Sequence, residues 1–199
     1  MAKNLSNREM VSDSIVGPTF DTERLHLRTL RPGDEDFLAS LDTDSEVMQH
    51  IHSGALSQND AMKWAQAQVE MAPYRRHLRK WIVELRDSRV KVGWIELGKF
   101  RGVFDPSESR MSDDVDLSYQ LDRARWGQKF IAEAAMPVLA YAFHRLKLDR
   151  VVAFARPENL RSERVLERLG FRRHATRLYK DEVGQNCRLY ALTRGDWQQ

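Results

Sequence analysis

The chain carries a single cysteine in 199 residues, Cys187, so it can form no internal disulfide, and a reducing compartment is expected. No apolar run approaches the roughly 20 residues that span a membrane. The opening stretch MAKNLSNREMVSDS lacks the apolar core of a signal peptide, so a cytoplasmic location with no membrane partner is expected. Charge of one sign is also missing. The 32 basic and 29 acidic residues leave a net +3, too mild to point to nucleic acid. No aromatic residue interleaves the charges of residues 75–80 and the arginines of 161–173 in a reader pattern, so nucleic acid is not an expected partner. His50 and His52 stand two apart and point differently on a helix, so no metal is expected. No internal repeat or low-complexity segment occurs.

A composition of 42% hydrophobic and 31% charged residues suits one globular domain with a full core. The polar residues 1–18 read as a flexible tail and residues 19–199 as the domain.

The chain is organised around the stretch from Asp122 to Leu146. Apolar residues fall at Ile131, Ala134, Ala135, Val138, Leu139, Ala142 and Leu146, the spacing of a helix that buries one face. The turn into it is short and basic and contains Gly127. A strand–turn–helix junction exposes backbone N–H groups at the positive end of the helix dipole and suits phosphate. Pro137 lies inside the stretch and removes a backbone bond, so a kink is expected there.

The rest follows in order. Phe20–Leu30 reads as a strand, stopped at Pro32-Gly33, with Asp34 capping a helix through Leu41. A short helix follows around Asp44–Ile51, and Ser57–Asp60 opens a third that reaches Tyr74. Trp64, Trp81 and Trp94 read as mostly core. The segment Tyr74–Lys80 is either a solvated linker or an anion-binding patch. Trp81–Leu85 and Val90–Leu97 form a hairpin, and Gly98–Asp114 is a long loop. Val115–Leu121 alternates strictly and feeds the central turn. Arg150–Ala155 is nearly all apolar, as buried parallel strands are. Asn159 caps a helix with Leu160, Val165, Leu166 and Leu169 on its apolar side, and Gly170 stops it. Phe171–Lys180 and Asn186–Thr193 make a last hairpin. Cys187 falls in this strand and reads as packing.

This order, with several of its segments, resembles the N-acetyltransferase (GNAT) superfamily, and within it the ribosomal-protein-alanine acetyltransferase (Rim-type) branch. The matching segments are Thr22-Glu23-Arg24-Leu25-His26-Leu27-Arg28, Asp116–Asp122, Trp126-Gly127-Gln128, Glu133-Ala134 and Tyr141-Ala142-Phe143. The most specific is Asn159-x-x-Ser162-x-x-Val165-Leu166-Glu167-x-Leu169-Gly170-Phe171. The resemblance covers about residues 20–197. It implies an α+β fold, with a mixed central sheet of about seven strands flanked by helices.

The resemblance further implies acyl transfer from acetyl-CoA to a primary amine, on a protein N-terminus or a small molecule, by direct attack on the thioester. The strand before the long helix would splay from its neighbour and hold the pantetheine. Trp126, Gly127, Gln128, Lys129, Phe130 and Ile131 would wrap the pyrophosphate, with Asn159 and Arg161 also near the coenzyme. Arg123 and Arg125 are further candidates for the phosphates. Backbone amides at Gln120 and Leu121 would meet the thioester oxygen. Ser162 would hydrogen-bond or protonate the coenzyme sulfur, because the position one turn later, a tyrosine in many members, is Leu166. Asp116 is the candidate base, with Glu96 behind it. Glu133 is expected to tie down nearby backbone. A homodimer is expected by analogy with the branch.

One departure opens an alternative. The family turn has small residues where this chain has Lys129 and Ile131. Either Lys129 swings outward and adds a cation for the phosphates, or the pocket is closed and the chain is a binding module without efficient catalysis.

Overall fold

The computed structural model describes residues 17–51, 54–75, 77–99, 114–174, 179–180 and 184–197. Most of the expected loop at 98–114, the residues before 17 and the turn at 181–183 lie outside the described residues.

Alternating apolar residues lay down the strands β1 (Phe20–Asp21), β2 (Leu25–Thr29), β3 (Lys80–Leu85), β4 (Lys91–Lys99), β5 (Val115–Leu121), β6 (Arg150–Ala155), β7 (Arg172–Arg173), β8 (Tyr179–Lys180) and β9 (Asn186–Thr193). The helices are α1 (Glu35–Thr43), α2 (Gln58–Met71), α3 (Phe130–Ala140) and α4 (Leu160–Arg168). The sheet runs β1-β2-β3-β4-β5-β6-β9-β7, with β8 also on β9. Three of the strands are two residues long, so the expected seven becomes nine among the described residues.

Every pairing is antiparallel except β5 with β6, which α3 joins as a crossover. That parallel pair is short. It holds at Val115↔Val151 and Asp116↔Val152 and at no later position, although β5 runs on to Leu121. Beyond Asp116, β6 leans on β9 instead, paired from Arg150↔Thr193 to Ala155↔Arg188. The two strands therefore part.

Each face of the sheet has its own core. Leu25, Leu27, Trp81, Val83, Ile95, Leu97, Val115 and Leu117 pack with α3 through Ala134, Ala135, Val138 and Leu139. On the other face, Ile82 and Leu30 pack with α1 and α2 through Leu38, Ala39, Ala61, Ala65 and Val69. Trp81 is fully buried between Phe20 and Tyr141, and its indole N–H donates to Pro18 O at 2.8 Å, holding the chain from before β1.

Several local expectations change. Asp34 stands before α1, but its carboxylate makes no cap bond. It takes Arg28 Nη1 and Nη2 at 2.7 and 2.8 Å and the Lys91 ammonium at 2.7 Å, because a buried Arg28 without partners would be costly. Arg79 and Lys80 are buried, so the end of the Tyr74–Lys80 segment is neither solvated linker nor open anion patch, while Tyr74 and His77 stay exposed. Trp64 and Leu160 are about half exposed, outside the core. Pro137 stays inside α3, and the chain coils on past it. Four residues later the coil widens to a π turn over Tyr141–Arg145, closed by Leu146 N–H to Tyr141 O at 3.0 Å.

Candidate active site

The parting of β5 and β6 opens a cleft between their later residues. Register settles which β5 groups face it. Asp122 N–H donates to Val92 O on β4 at 2.8 Å. Strand groups alternate sides every residue, so the N–H of Gln120 also turns to β4, opposite Trp94. The N–H groups of Tyr119 and Leu121 turn toward β6. Gln120 is thus corrected as an oxyanion donor, whereas Leu121 keeps the right direction. The Leu121 carbonyl accepts the Trp126 indole N–H at 2.9 Å, which fixes the start of the turn.

The turn from Trp126 to Ile131 leads into α3. Gly127 has φ +77°, where a side chain would be strained. Lys129, the residue before the helix, also takes the left-handed conformation, with φ 64° and ψ 15°. Such a backbone costs an L-residue about 1–2 kcal/mol. The turn therefore keeps the shape that a glycine would give it. The Lys129 side chain is exposed and offers no cap to the helix, so among the described residues the first-turn N–H groups of α3 have no side-chain acceptor. Gln128 is exposed, and its carbonyl accepts from Arg24 Nη2 at 3.1 Å. Phe130 and Ile131 are each 5% exposed. Ile131 is therefore shielded from solvent, whereas Lys129 stands out into it.

Glu133 holds this junction to the rest of the protein. Its carboxylate accepts from Thr22 Oγ1 at 2.6 Å, Arg24 N–H at 2.9 Å and Arg24 Nε at 2.7 Å. Burial pushes its carboxyl up, but Thr22 and Arg24 more than offset this and hold it below the usual carboxylate range.

On the far side of the cleft, Asn159 Oδ1 accepts the Ser162 N–H at 3.1 Å and caps α4, as the sequence predicts. Tyr119, on β5, reaches across, with its hydroxyl 2.8 Å from Ser162 Oγ. Arg161 lays its guanidinium 4.3 Å over the Trp126 ring, so α4 and the turn meet at the cleft mouth. Arg125 adds a half-buried guanidinium whose Nε has no partner among the described residues. Arg123 is exposed and sits 3.9 Å from Glu46. The structure thus gathers Leu121, Trp126, Gly127, Gln128, Lys129, Asn159, Arg161 and Ser162 around one cleft.

It does not bring Asp116 there. Asp116 precedes Tyr119 by three residues, roughly 10 Å along the strand, on the opposite face and where β6 is still paired. Gly98 on β4 leaves room for it, since a Cβ there would lie 3.0 Å from Asp116 Oδ1. Glu96 is bound to Arg75 and lies 3.3 Å from the Lys80 ammonium. Burial pushes the Glu96 carboxyl up, yet Lys80 and Arg75 hold it below its usual value, which makes it a poor base. Lys80 stacks 3.5 Å from the Trp94 ring, Trp94 Nε1 donates to Gln120 Oε1 at 2.7 Å, and Gln120 Nε2 reaches Asp42 at 3.2 Å. This buried polar chain occupies Gln120 and Glu96 as packing groups.

Two groups were not legible as site residues. Tyr119 reads in the sequence as an apolar strand position, because only the fold shows where its hydroxyl ends. His50 carries no signal in the sequence beyond its spacing from His52. It is half-buried in the helical turn Met48–His50, close enough to feel Arg156, Glu158 and Arg161. Burial, then Arg156 and Arg161, hold it below its ordinary 6.5 against the pull of Glu158, so it is neutral at pH 7. No group of three or more His, Cys, Asp or Glu side chains placed to hold a metal occurs among the described residues, and no described helix is long and apolar enough to cross a membrane. Cys187 is buried in β9.

Comparisons with known proteins bear on the family and the fold. The family described as acetyltransferase (GNAT) domain matches residues 24–172. The uncharacterized N-acetyltransferase YnaD of Bacillus subtilis is 26% identical over 152 residues, which is 76% of this chain and 81% of that protein. The FsC-acetyl coenzyme A-N(2)-transacetylase of Aspergillus fumigatus is 25% identical over 186 residues, 90% of this chain and 78% of that one. Among solved structures, a GNAT-family acetyltransferase from Bacillus anthracis aligns with TM-score 0.70 at 22% identity, covering 89% of this chain and 99% of that one. The spermidine N-acetyltransferase of Vibrio cholerae, in complex with CoA and spermine, aligns with TM-score 0.66 at 16% identity, covering 88% and 98%.

Proposed function

The chain belongs to the acetyltransferase (GNAT) family and is an acetyltransferase, and from that premise we propose that it carries an acetyl group from acetyl-CoA to a primary amine by direct attack on the thioester. The observation that carries this reading is the cleft itself. β5 and β6 pair at two positions and then part, with an uncapped helix N-terminus on one side and Ser162 on the other.

Phosphate suits the first side, because N–H groups without side-chain acceptors and the helix dipole both favour an anion. Lys129, Arg125 and Arg161 stand around it. The retained left-handed backbone at Lys129 and the buried Ile131 support the reading in which Lys129 adds a cation, over that of a closed pocket. The acetyl carbonyl then lies by Leu121, whose N–H would stabilise the developing oxyanion. Ser162 sits at the sulfur.

The amine must lose a proton as the C–N bond forms. His50 fits this better than Asp116, since burial, Arg156 and Arg161 hold it below its ordinary 6.5 and it lies within electrostatic reach of Arg161. The acceptor is a primary amine of a protein N-terminus or a small molecule, entering beside Met48–His50. The structural neighbour with spermine bound favours including polyamines in the test.

Release of free CoA thiol from acetyl-CoA in the presence of N-terminal peptides, polyamines and amino sugars tests the proposal. Amine-dependent thiol release supports it. Binding of acetyl-CoA with no release for any amine would favour the binding-module reading.

A further inference from the structure

We propose that Tyr119 is a positioning residue of this site: its hydroxyl donates to Ser162 Oγ and thereby aims the Ser162 proton at the coenzyme sulfur, stabilising the departing thiolate. This rests on the acetyl-CoA reading above.

Tyr119 lies on β5 beyond the last pair with β6, and Ser162 lies in the first turn of α4. Their 2.8 Å contact therefore spans the two walls of the cleft. Each hydroxyl has one proton, and either could be the donor in this contact. A phenol is the more acidic group and the better donor, so the favoured arrangement runs from Tyr119 to Ser162. The Ser162 proton is then free for a third partner, and two hydroxyls in series polarise each other. The other acceptor within its reach, the Ser162 carbonyl at 3.4 Å, is the longer contact, and at working pH Tyr119 keeps its proton. Burial pushes its pKa up to about 12, with Ser162 pulling the other way. Leu166, one turn along α4, is fully buried and carries no hydroxyl, so the strand supplies what that helix lacks.

The chemistry balances without a proton leaving either hydroxyl. The amine nitrogen bonds to the carbonyl carbon, the C–S bond breaks, and its electron pair stays on sulfur. The amine proton passes to base or water. The Tyr119–Ser162 pair only donates hydrogen bonds to the sulfur while it is charged, and the thiolate takes its proton from water on release.

The test is the ionisation of the CoA thiol bound to the protein, followed by thiolate ultraviolet absorbance, beside kcat and KM for acetyl-CoA. In Tyr119→Phe the bound thiol is expected to ionise at higher pH than in the wild type. The kcat falls about tenfold while KM for acetyl-CoA stays within about twofold. Ser162→Ala and the double variant are expected to match each other, because Tyr119 acts only through Ser162. Replacing Tyr119 with 3-fluorotyrosine keeps the shape, makes the phenol more acidic, and is expected to move the thiol to lower pH. An unchanged thiol titration in Tyr119→Phe, or losses that simply add in the double variant, would overturn the role of Tyr119 while leaving the acetyltransferase reading intact. A wild type that binds no CoA would overturn both.

Discussion

Glu133 accepts the Thr22 hydroxyl at 2.6 Å across 111 residues of sequence. The contact explains why Thr22 and Arg24 stand at the start of the domain. They fasten the β1–β2 turn to the first turn of α3, and so hold in place the helix end that the proposal assigns to phosphate.

Glu133→Ala removes three hydrogen bonds at once. A loss of about 1–3 kcal/mol in unfolding free energy is expected, measurable by urea denaturation. The wild-type contribution depends on pH. Because the folded carboxyl is held below its ordinary 4.5, the stabilisation is present above that pH and fades as pH falls below it. The gap between wild type and Glu133→Ala is expected to close in acid.

Lys129→Gly removes the cost of a left-handed lysine and is expected to raise stability by up to about 1 kcal/mol, read from the denaturation midpoint. The same change is expected to weaken acetyl-CoA binding by removing a cation. Ile131→Ala behaves differently. The side chain is buried, so it is expected to cost about 2–4 kcal/mol through a cavity, without opening the cleft.

Arg28→Met leaves Asp34 and Glu84 buried without their shared guanidinium. A loss of about 3–5 kcal/mol is expected by urea denaturation. Replacing Arg28 and Glu84 together by apolar residues of similar volume is expected to recover part of it.

The sequence carried the order of the elements because hydrophobic period, caps and turn residues act locally. Asn159, Ser57 and Gly170 do in the structure what their types suggest. The site was partly legible for the same reason, since the turn at Gly127 and the cap at Asn159 are local features. What escaped was tertiary. Asp34 looks like a cap, and its carboxylate is taken by an arginine on a neighbouring strand. Tyr119 looks like a strand residue, and its hydroxyl meets a helix 43 residues on. Gln120 and Glu96 look available, and a buried polar chain through Trp94 and Lys80 engages both. Pairings of this kind are set by which strands lie side by side, which no window of sequence contains.

His50 gives the proposal a pH signature. A base held below 6.5 makes the acetylation rate rise with pH through a value under 6.5 and level off near neutrality. His50→Gln is expected to remove that limb of the kcat/KM profile and lower the plateau about a hundredfold. A retained limb would move the base elsewhere.

The most direct test of the central claim is the thermal midpoint of the wild type with and without acetyl-CoA. Ligand at about 100 times its dissociation constant stabilises the folded state by about 2.7 kcal/mol, which for a domain of this size is a rise of about 5–10 °C. That rise is expected, together with a smaller one in Lys129→Glu, where the added charge opposes the phosphates. An unchanged midpoint in the wild type at saturating concentrations would contradict the claim that the cleft between β5 and β6 holds the coenzyme.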